Sequence, residues 1–346
     1  MLYKIYLLIL IFLIVKLKVV STYYLYDNYA INRITKLNEG YRENIEIEAI
    51  PGISFSTTDI INNDNNVIST DEFVGIGRNR QRFACRIMYD GTAFRGWQQQ
   101  EPKMRTVQGI ISQRLTQRFD TNMKVTGAGR TDQGVHARGQ AGHFDVPYSK
   151  ANEIIQNPSH LEFVLNRLLP DDIRIYNIQP MKEFHATSFA NGKLYVYRFC
   201  VNKFVDPLRK RYCAHVYNKI DMQIFHDCLQ MFIGTHDFKA FANRIAHTNK
   251  DLLPFGHSVD TIRTVQSIDV IDEGGGYYRV EFRLKSALYR MVRNIMGASL
   301  AVAAGHLPLS KVETLLKEAT DRDDLKARSA PPEGLTLEYV YYTNYD

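Results

Sequence analysis

Several features that define other protein classes are scarce or missing in this chain. Only four of its 346 residues are cysteines, and they are widely spaced without a Cys-x-x-Cys pair. The pattern therefore indicates neither a zinc site nor a disulfide framework, and we expect buried thiols. The chain also lacks a Walker or dinucleotide-binding glycine signature. Its strands and helices are therefore not expected to form a doubly wound parallel fold.

Composition is that of a globular protein with a moderate excess of positive charge. Hydrophobic residues make up 45% and charged residues 23%, and the formal net charge is +6. Residues 1–80 carry 8 Lys/Arg against 9 Asp/Glu, so the remainder carries +7. This excess favours an anionic partner such as a nucleic acid. A basic surface without a binding role is the alternative.

The N-terminal 80 residues differ from the rest. An unbroken apolar run of eleven residues, 5–15, is flanked by lysines. It fits the hydrophobic part of a signal peptide and is short for a membrane span. Residues 19–80 show little core pattern. We predict that residues 1–80 form a targeting and linker extension, largely disordered, and that the mature protein has no stable membrane association. An amphipathic or anchoring helix is the alternative.

From Arg82 onward, apolar periodicity predicts regular structure. The expected strands lie at residues 82–89, 194–200, 278–284 and 335–342. Helix starts are expected at Thr106, at Asp221, and at two capping boxes, residues 159–162 and 310–313. The strongest amphipathic helix is expected around residues 288–299. Strands and helices alternate irregularly, which favours an α+β fold with two similar halves, residues 81–179 and 180–346, and mixed, mainly antiparallel sheets.

The most unusual stretch is residues 127–144, GAGRTDQGVHARGQAGHF. It places Asp132 among five glycines, with Arg130 and Arg138 on either side. Glycines this dense indicate unusual backbone angles or a close approach by a partner. Charged groups on such a loop suit chemistry on a ligand. The alternative is a hairpin loop whose charges are simply solvated.

Further segments combine polar and aromatic residues, and their order along the chain resembles one family. They are YDGTAFRGWQ (89–98), TVQG (106–109), LNRLLPDDI (165–173), FHA (184–186), GKLYVYR (192–198), GTHDFKAF (234–241), TIRTV (261–265), MVRNIMG (291–297) and APPEGLTLEYVYY (330–342). Together with residues 127–144, they resemble the TruA family of tRNA pseudouridine synthases over about residues 82–342.

The resemblance implies an isomerase that converts uridine to pseudouridine in tRNA, in a pseudouridine-synthase fold with a basic central cleft. The family's catalytic aspartate maps onto Asp132, close to the sugar of an extruded nucleotide. Covalent attack by the carboxylate and abstraction of a ribose proton both remain open. The resemblance implies no cofactor, because the reaction is redox-neutral and the uracil leaves and returns within the site.

Other site residues follow from the same resemblance. Arg293 would pair with Asp132, because a guanidinium keeps a carboxylate ionised and oriented. Arg130 would contact the displaced base or fill its place in the stack. Tyr195 would stack on the uracil, and its hydroxyl would assist removal of the C5 proton. Tyr197 lies on the same strand face, where we expect a structural role.

Arg138 and His136 are expected to contact RNA. No histidine spacing supports a metal site. The chain departs from the family pattern at Thr187, Ala287 and Arg290. These departures bear on RNA contacts and site preference.

The form GRTDQGVHA is closer to the bacterial-type branch. This suggests action on the anticodon stem-loop, at tRNA positions 38–40, by a homodimer whose tRNA spans both subunits. With the N-terminal extension, it also suggests an organelle, with a plastid favoured and mitochondrion or cytoplasm as alternatives. Two other classes stay open: a catalytically silent tRNA-binding or folding factor of the same fold, and a secreted hydrolase.

Overall fold

A computed structural model describes residues 79–343 except 102, 244, 246–259 and 319. The predicted N-terminal extension, with its apolar run at residues 5–15, lies outside the described residues apart from its last two positions. None of the helices in the described range is long and apolar enough to cross a membrane.

Ten strands of the described chain form one sheet, in the order β4-β1-β3-β10-β5-β9-β8-β7, with β2 on β3 and β6 on β5. Most neighbours are antiparallel, whereas β10 with β3 and β6 with β5 are parallel. The strands are β1 (Arg80–Tyr89), β2 (Thr126–Gly127), β3 (His136–Pro147), β4 (Ile173–Pro180), β5 (Gly192–Cys200), β6 (Ala214–His215), β7 (Gly234–Asp237), β8 (Ile262–Gly274), β9 (Tyr277–Leu284) and β10 (Leu335–Tyr341).

Six α-helices accompany the sheet in the described residues. They are α1 (Val107–Phe119), α2 (Tyr148–Gln156), α3 (Pro158–Leu168), α4 (Met222–Gln230), α5 (Met291–Ala303) and α6 (Leu309–Lys317). The α+β fold with a mixed, mainly antiparallel sheet is thus confirmed. The last strand, β10, pairs with both β3 and β5 and joins the strands on either side of residue 180 into a single sheet.

Two predicted helix starts are confirmed and two are wrong. Thr106 accepts a hydrogen bond from the Gly109 amide, and Asp221 accepts two at the start of α4. The capping box at residues 159–162 does not form, because α3 begins at Pro158 with Asn157 as its cap. Glu162 instead accepts a bond from the Ile178 amide of β4 (2.7 Å).

The second predicted capping box, at residues 310–313, is also wrong. Helix α6 begins at Leu309, and Pro308 precedes it without a side-chain cap. Glu313 pairs with Lys317 one turn later, at 2.7 Å. Both errors arise because Ser-x-x-Glu is compatible with a helix that has already begun.

Strand β1 is more deeply buried than its alternating sequence predicts. All residues from Phe83 to Ile87 are buried, so both faces of β1 are covered, and β3 and β4 flank its two edges. Arg86 is therefore not on a solvent face: its Nη1 donates to the Val340 carbonyl at 2.7 Å. Strand β9, in contrast, alternates as predicted, with Val280, Phe282 and Leu284 buried.

Candidate active site

The glycine-rich loop between β2 and β3 brings Asp132 to the first residues of α5. Asp132 Oδ2 lies 3.0 Å from Nη1 of Arg293, and the two side chains are only 12% and 9% exposed. The predicted pairing of these residues is therefore confirmed. It is a shielded pair, since most of each charged group is removed from water.

Arg293 is held from its other side by the chain before β10. Its Nε donates to the Ala330 carbonyl at 2.8 Å, and the Ala330 amide donates to the Arg293 carbonyl at 2.9 Å. One turn along α5, a Cβ on Gly297 would lie 1.9 Å from the Arg328 carbonyl oxygen. Glycine is therefore required for this segment to reach α5 and fix the guanidinium.

Asn294, next to Arg293, is a buried organising residue that the sequence reasoning missed. Its amide donates to the Phe241 carbonyl (2.8 Å) and to Asn243 Oδ1 (2.9 Å). Its own oxygen accepts from Ser329 and Arg322. Asn294 thus ties the start of α5 to three separate segments. The only signal in the sequence was its place in the motif MVRN.

Two tyrosines of β5 face the same side of the sheet and differ in their contacts. Burial raises the pKa of Tyr195, and the nearby Asp132 charge raises it further, so the hydroxyl is neutral at physiological pH. Tyr195 is 8% exposed. Tyr197 is completely buried, and its hydroxyl donates to the Pro331 carbonyl at 2.9 Å. Tyr197 is thus held by the segment before β10, whereas Tyr195 lies within reach of the Asp132 charge.

The segment after β1 holds the glycine-rich loop from one side. The Trp97 amide donates to the Thr131 carbonyl at 3.1 Å, and the Tyr89 hydroxyl lies 2.8 Å from Thr131 Oγ1. Gly96 adopts φ +95°, and a Cβ there would lie 2.8 Å from the Thr131 carbonyl oxygen. The residue next to Asp132 is therefore fixed through both its backbone and its side chain.

Lys193 holds the loop from β5, and the sequence reasoning missed it. Its Nζ donates to the Ala128 carbonyl at 3.0 Å, and the side chain is 8% exposed. Burial lowers the pKa of this ammonium from 10.5 to about 8. A Cβ on Gly129 would lie 2.8 Å from Nζ, so glycine leaves the space that the ammonium occupies. Lys193 lies two residues before Tyr195 on the same strand face, which could have indicated it.

Arg130 is exposed, and no hydrogen bond or ion pair joins its side chain to the described residues. Its guanidinium is thus available to a ligand. Nε2 of the Gln140 side chain donates to the carbonyl of Gly129, the residue before Arg130, at 2.8 Å. The backbone beside Arg130 is therefore fixed, whereas its side chain is free to reach outward.

In the described residues, no hydrogen bond or ion pair joins His136 or Arg138 to Asp132. His136 is 3% exposed, its Nδ1 lies 3.2 Å from Asp90 Oδ1, and the Gly91 amide donates to the same nitrogen at 3.0 Å. Burial lowers the pKa of His136, opposed mainly by the Asp90 charge. Arg138 is 70% exposed and lies 3.5 Å from Glu338. Both residues line a cavity of about 350 Å³ together with Asp90, Arg174, Arg198 and Tyr212. Their contact with RNA stays a prediction.

All four cysteines are buried free thiols, as expected. Among the described residues, no three or more His, Cys, Asp or Glu side chains cluster closely enough to hold a metal ion.

The fold and the site together define an enzyme in which a shielded carboxylate–guanidinium pair lies beside a buried tyrosine and a fixed loop. A family described as tRNA pseudouridine synthase matches residues 86–188 and 228–343. The chain belongs to this family and is an isomerase.

Curated relatives named tRNA pseudouridine synthase A align with this chain over nearly their whole length. The tRNA pseudouridine synthase A 1 of Protochlamydia amoebophila is 36% identical over 264 residues, covering 76% of this chain and 96% of that protein. The tRNA pseudouridine synthase A of Geobacillus kaustophilus is 38% identical over 267 residues, covering 76% and 95%. That of Streptococcus thermophilus (strain CNRZ 1066) is 34% identical over 265 residues, covering 75% and 99%.

Proposed function

We propose that this protein isomerises uridine to pseudouridine in the anticodon stem-loop of tRNA, at positions 38–40, with Asp132 as the catalytic group. The observation that carries the proposal is the 3.0 Å pair of Asp132 and Arg293 beside Tyr195. Family membership supports the reaction, and the sequence form GRTDQGVHA supports the anticodon stem-loop.

The reaction breaks the bond from N1 of uracil to C1′ of the ribose and forms a bond from C5 to C1′. The proton on C5 is lost, and N1 gains one. The target nucleotide must first leave the helix, which costs a few kcal/mol. The exposed Arg130 is suited to contact the extruded base or its vacated place. In our proposal the ring of Tyr195 supports the uracil while it turns.

Arg293 orients the Asp132 carboxylate toward the sugar in this scheme. The Nε of Arg293 is hydrogen-bonded to the Ala330 carbonyl, and its Nη1 donates to Asp132. The carboxylate is thus held in one orientation before substrate arrives, which is the requirement for efficient positioning. Attack on C1′ and abstraction of the 2′ proton both need this orientation.

Release of tritium from C5-labelled uridine in tRNA tests the proposal directly. The wild-type chain should release tritium, and Asp132→Asn should release none while binding tRNA with unchanged affinity. Mapping of pseudouridine in the product tRNA should place it at positions 38–40. Full turnover by Asp132→Asn would refute the catalytic assignment. Absence of turnover in the wild-type chain would favour a silent tRNA-binding factor.

Homodimerisation and an organellar location are further parts of the proposal. The resemblance supports a dimer whose tRNA spans both subunits, and sedimentation at working concentration tests it. The family match begins at residue 86, after the extension of residues 1–80. We propose that the extension directs the protein to an organelle, with a plastid favoured. A fluorescent protein carrying residues 1–80 should localise there, and cytoplasmic fluorescence would refute the assignment.

A further inference from the structure

The chain between β5 and α4 presents an unusual exposed surface. Residues 203–217, here called the basic aromatic segment, include Phe204, Leu208 and Tyr217, which are 73%, 89% and 85% exposed. Single exposed apolar side chains are common, but a concentration of large ones in one short segment marks an interaction site. The segment also lies between the two ranges that match the family, residues 86–188 and 228–343.

The same segment is strongly positive. It contains the exposed cations Lys203, Arg209, Lys210 and Arg211 and a single acidic residue, Asp206. The Asp206 carboxylate accepts a hydrogen bond from the Leu208 amide two residues later, at 2.9 Å. Cations interleaved with exposed aromatic rings match the phosphates and bases of unpaired RNA. An acidic partner would pair only with the cations, and a purely apolar partner would contact only the exposed apolar side chains.

The cations differ in how far they are already engaged. Arg209 lies over the Tyr277 ring at 4.5 Å and helps hold the segment on the sheet. Arg211 is 69% exposed and only 3.7 Å from Asp90. Lys203 and Lys210 form no ion pair with any described residue and are available to phosphates. The Tyr217 ring lies 4.0 Å from the His215 ring, which supports it for stacking against a base.

Tyr212 joins the segment to residues that border the glycine-rich loop. The Tyr212 hydroxyl donates to Asp90 Oδ2 at 3.0 Å, and its ring meets the His136 ring edge-on at 5.0 Å. His136 follows Asp132 by four positions. Lys210–Tyr212 also lies against Pro332–Gly334, whose first residue touches Gly134. The segment therefore adjoins the loop that carries Asp132, and we expect RNA bound at that loop to extend onto the segment.

We infer that the basic aromatic segment is a second RNA-binding surface, which holds unpaired tRNA nucleotides adjoining the target uridine. Lys203 and Lys210 contact phosphates, and Phe204 and Tyr217 stack on bases. The inference rests on the proposed function, because it assumes that tRNA enters at Asp132. It assigns this segment to substrate affinity and not to the chemical step.

Two paired variants test the inference: Phe204→Ala with Tyr217→Ala, and Lys203→Gln with Lys210→Gln. The matched controls are Phe163→Ala with Tyr148→Ala, and Lys124→Gln with Lys317→Gln, which alter exposed residues on other parts of the surface. Filter binding of unmodified tRNA at several salt concentrations gives the Kd and its salt slope. Single-turnover tritium release gives the plateau rate. Circular dichroism melting of all variants verifies that they fold.

We expect the aromatic variant to bind tRNA about 5- to 100-fold more weakly per stacked base lost. The lysine variant should reduce the slope of log K against log salt by roughly 0.7–0.9 for each phosphate contact removed. The plateau rate at saturating tRNA should be that of the wild type, because neither pair touches the site of Asp132. The two control variants should match the wild type in affinity and slope.

Affinity and salt slope equal to those of the controls would overturn the inference, and so would a lower plateau rate with unchanged affinity. A lower sedimentation mass with unchanged tRNA affinity would assign the surface to a second copy of the chain and also overturn it. Failure of the proposed function is a separate result. In that case the wild type would release no tritium, whatever the tRNA affinity of the segment variants.

Discussion

Nη1 of Arg293 lies 3.0 Å from Oδ2 of Asp132, although the two residues are 161 positions apart in the chain. The same guanidinium also donates from Nε to the Ala330 carbonyl at 2.8 Å. One planar group thus links the glycine-rich loop, the start of α5 and the segment before β10. This double contact needs the fork of donors that arginine provides and lysine does not.

Arg293→Lys should therefore lose most of the activity while keeping the positive charge. A single ammonium cannot hold the Ala330 carbonyl and Asp132 together, and a misplacement of about 1 Å can cost roughly 10²-fold in rate. We expect a loss of about that size in single-turnover tritium release, with tRNA affinity unchanged. Arg283→Lys, in an exposed ion pair with Asp269, is the matched control and should be neutral. A wild-type rate for Arg293→Lys would show that charge alone suffices.

Tyr195→Phe should distinguish the contribution of the ring from that of the hydroxyl, because it removes only the hydroxyl. The ring remains for stacking, so tRNA affinity should be unchanged, whereas loss of a proton-transferring group typically costs about 10²- to 10⁴-fold in rate. Tyr197→Phe removes only the bond to the Pro331 carbonyl and should cost about 1 kcal/mol of stability. Single-turnover rates and urea unfolding are measured for both variants, to compare their losses of rate and of stability. Equal rate losses in the two variants would contradict the distinction between the two tyrosines.

Much of the fold could be predicted because apolar periodicity and side-chain caps act locally. Thr106 and Asp221 begin helices as expected, since each cap bonds amides within three residues. Burial on both faces of β1 could not be predicted, because it depends on which parts of the chain pack against the two faces of the sheet. The ion pair of Arg82 with Asp145 at 2.7 Å follows from the register of β1 against β3, which places the two residues opposite each other.

For the candidate site, too, some features could be predicted and others could not. Asp132, Arg130, Tyr195 and Arg293 were predicted through the family resemblance, and of these predictions the pairing of Asp132 with Arg293 is confirmed. Lys193 and Asn294 were missed because their partners are backbone carbonyls and distant loops, which leave no mark in local sequence. The fold alone brings the Ala128 carbonyl to Lys193.

Gly96→Ala should disturb the loop that carries Asp132. Gly96 has φ +95°, and a Cβ would also meet the Thr131 carbonyl oxygen at 2.8 Å. Gly274→Ala is the matched control, because Gly274 has φ +83° with nothing within 4 Å. The control should lose about 1–2 kcal/mol from backbone strain alone. Gly96→Ala should lose a further 1–3 kcal/mol, roughly, from overpacking, together with catalytic rate. Equal losses in urea unfolding and unchanged rates would show that the contact with Thr131 is unimportant.

The buried ammonium of Lys193 should make stability depend on alkaline pH. Its pKa is lowered from 10.5 to about 8 by burial, so between these values the unfolded chain binds the proton that the folded chain has released. The contribution of Lys193 to stability therefore rises with pH through this window, by about 1.4 kcal/mol per pH unit at most, and is lost as pH falls through 8. Lys193→Met removes the titrating group and should abolish this rise. The exposed Lys124→Met should retain it. Urea unfolding of the three proteins at pH 7.5 and 9.5 measures the difference, and parallel pH dependence of Lys193→Met and wild type would show that this ammonium is not desolvated.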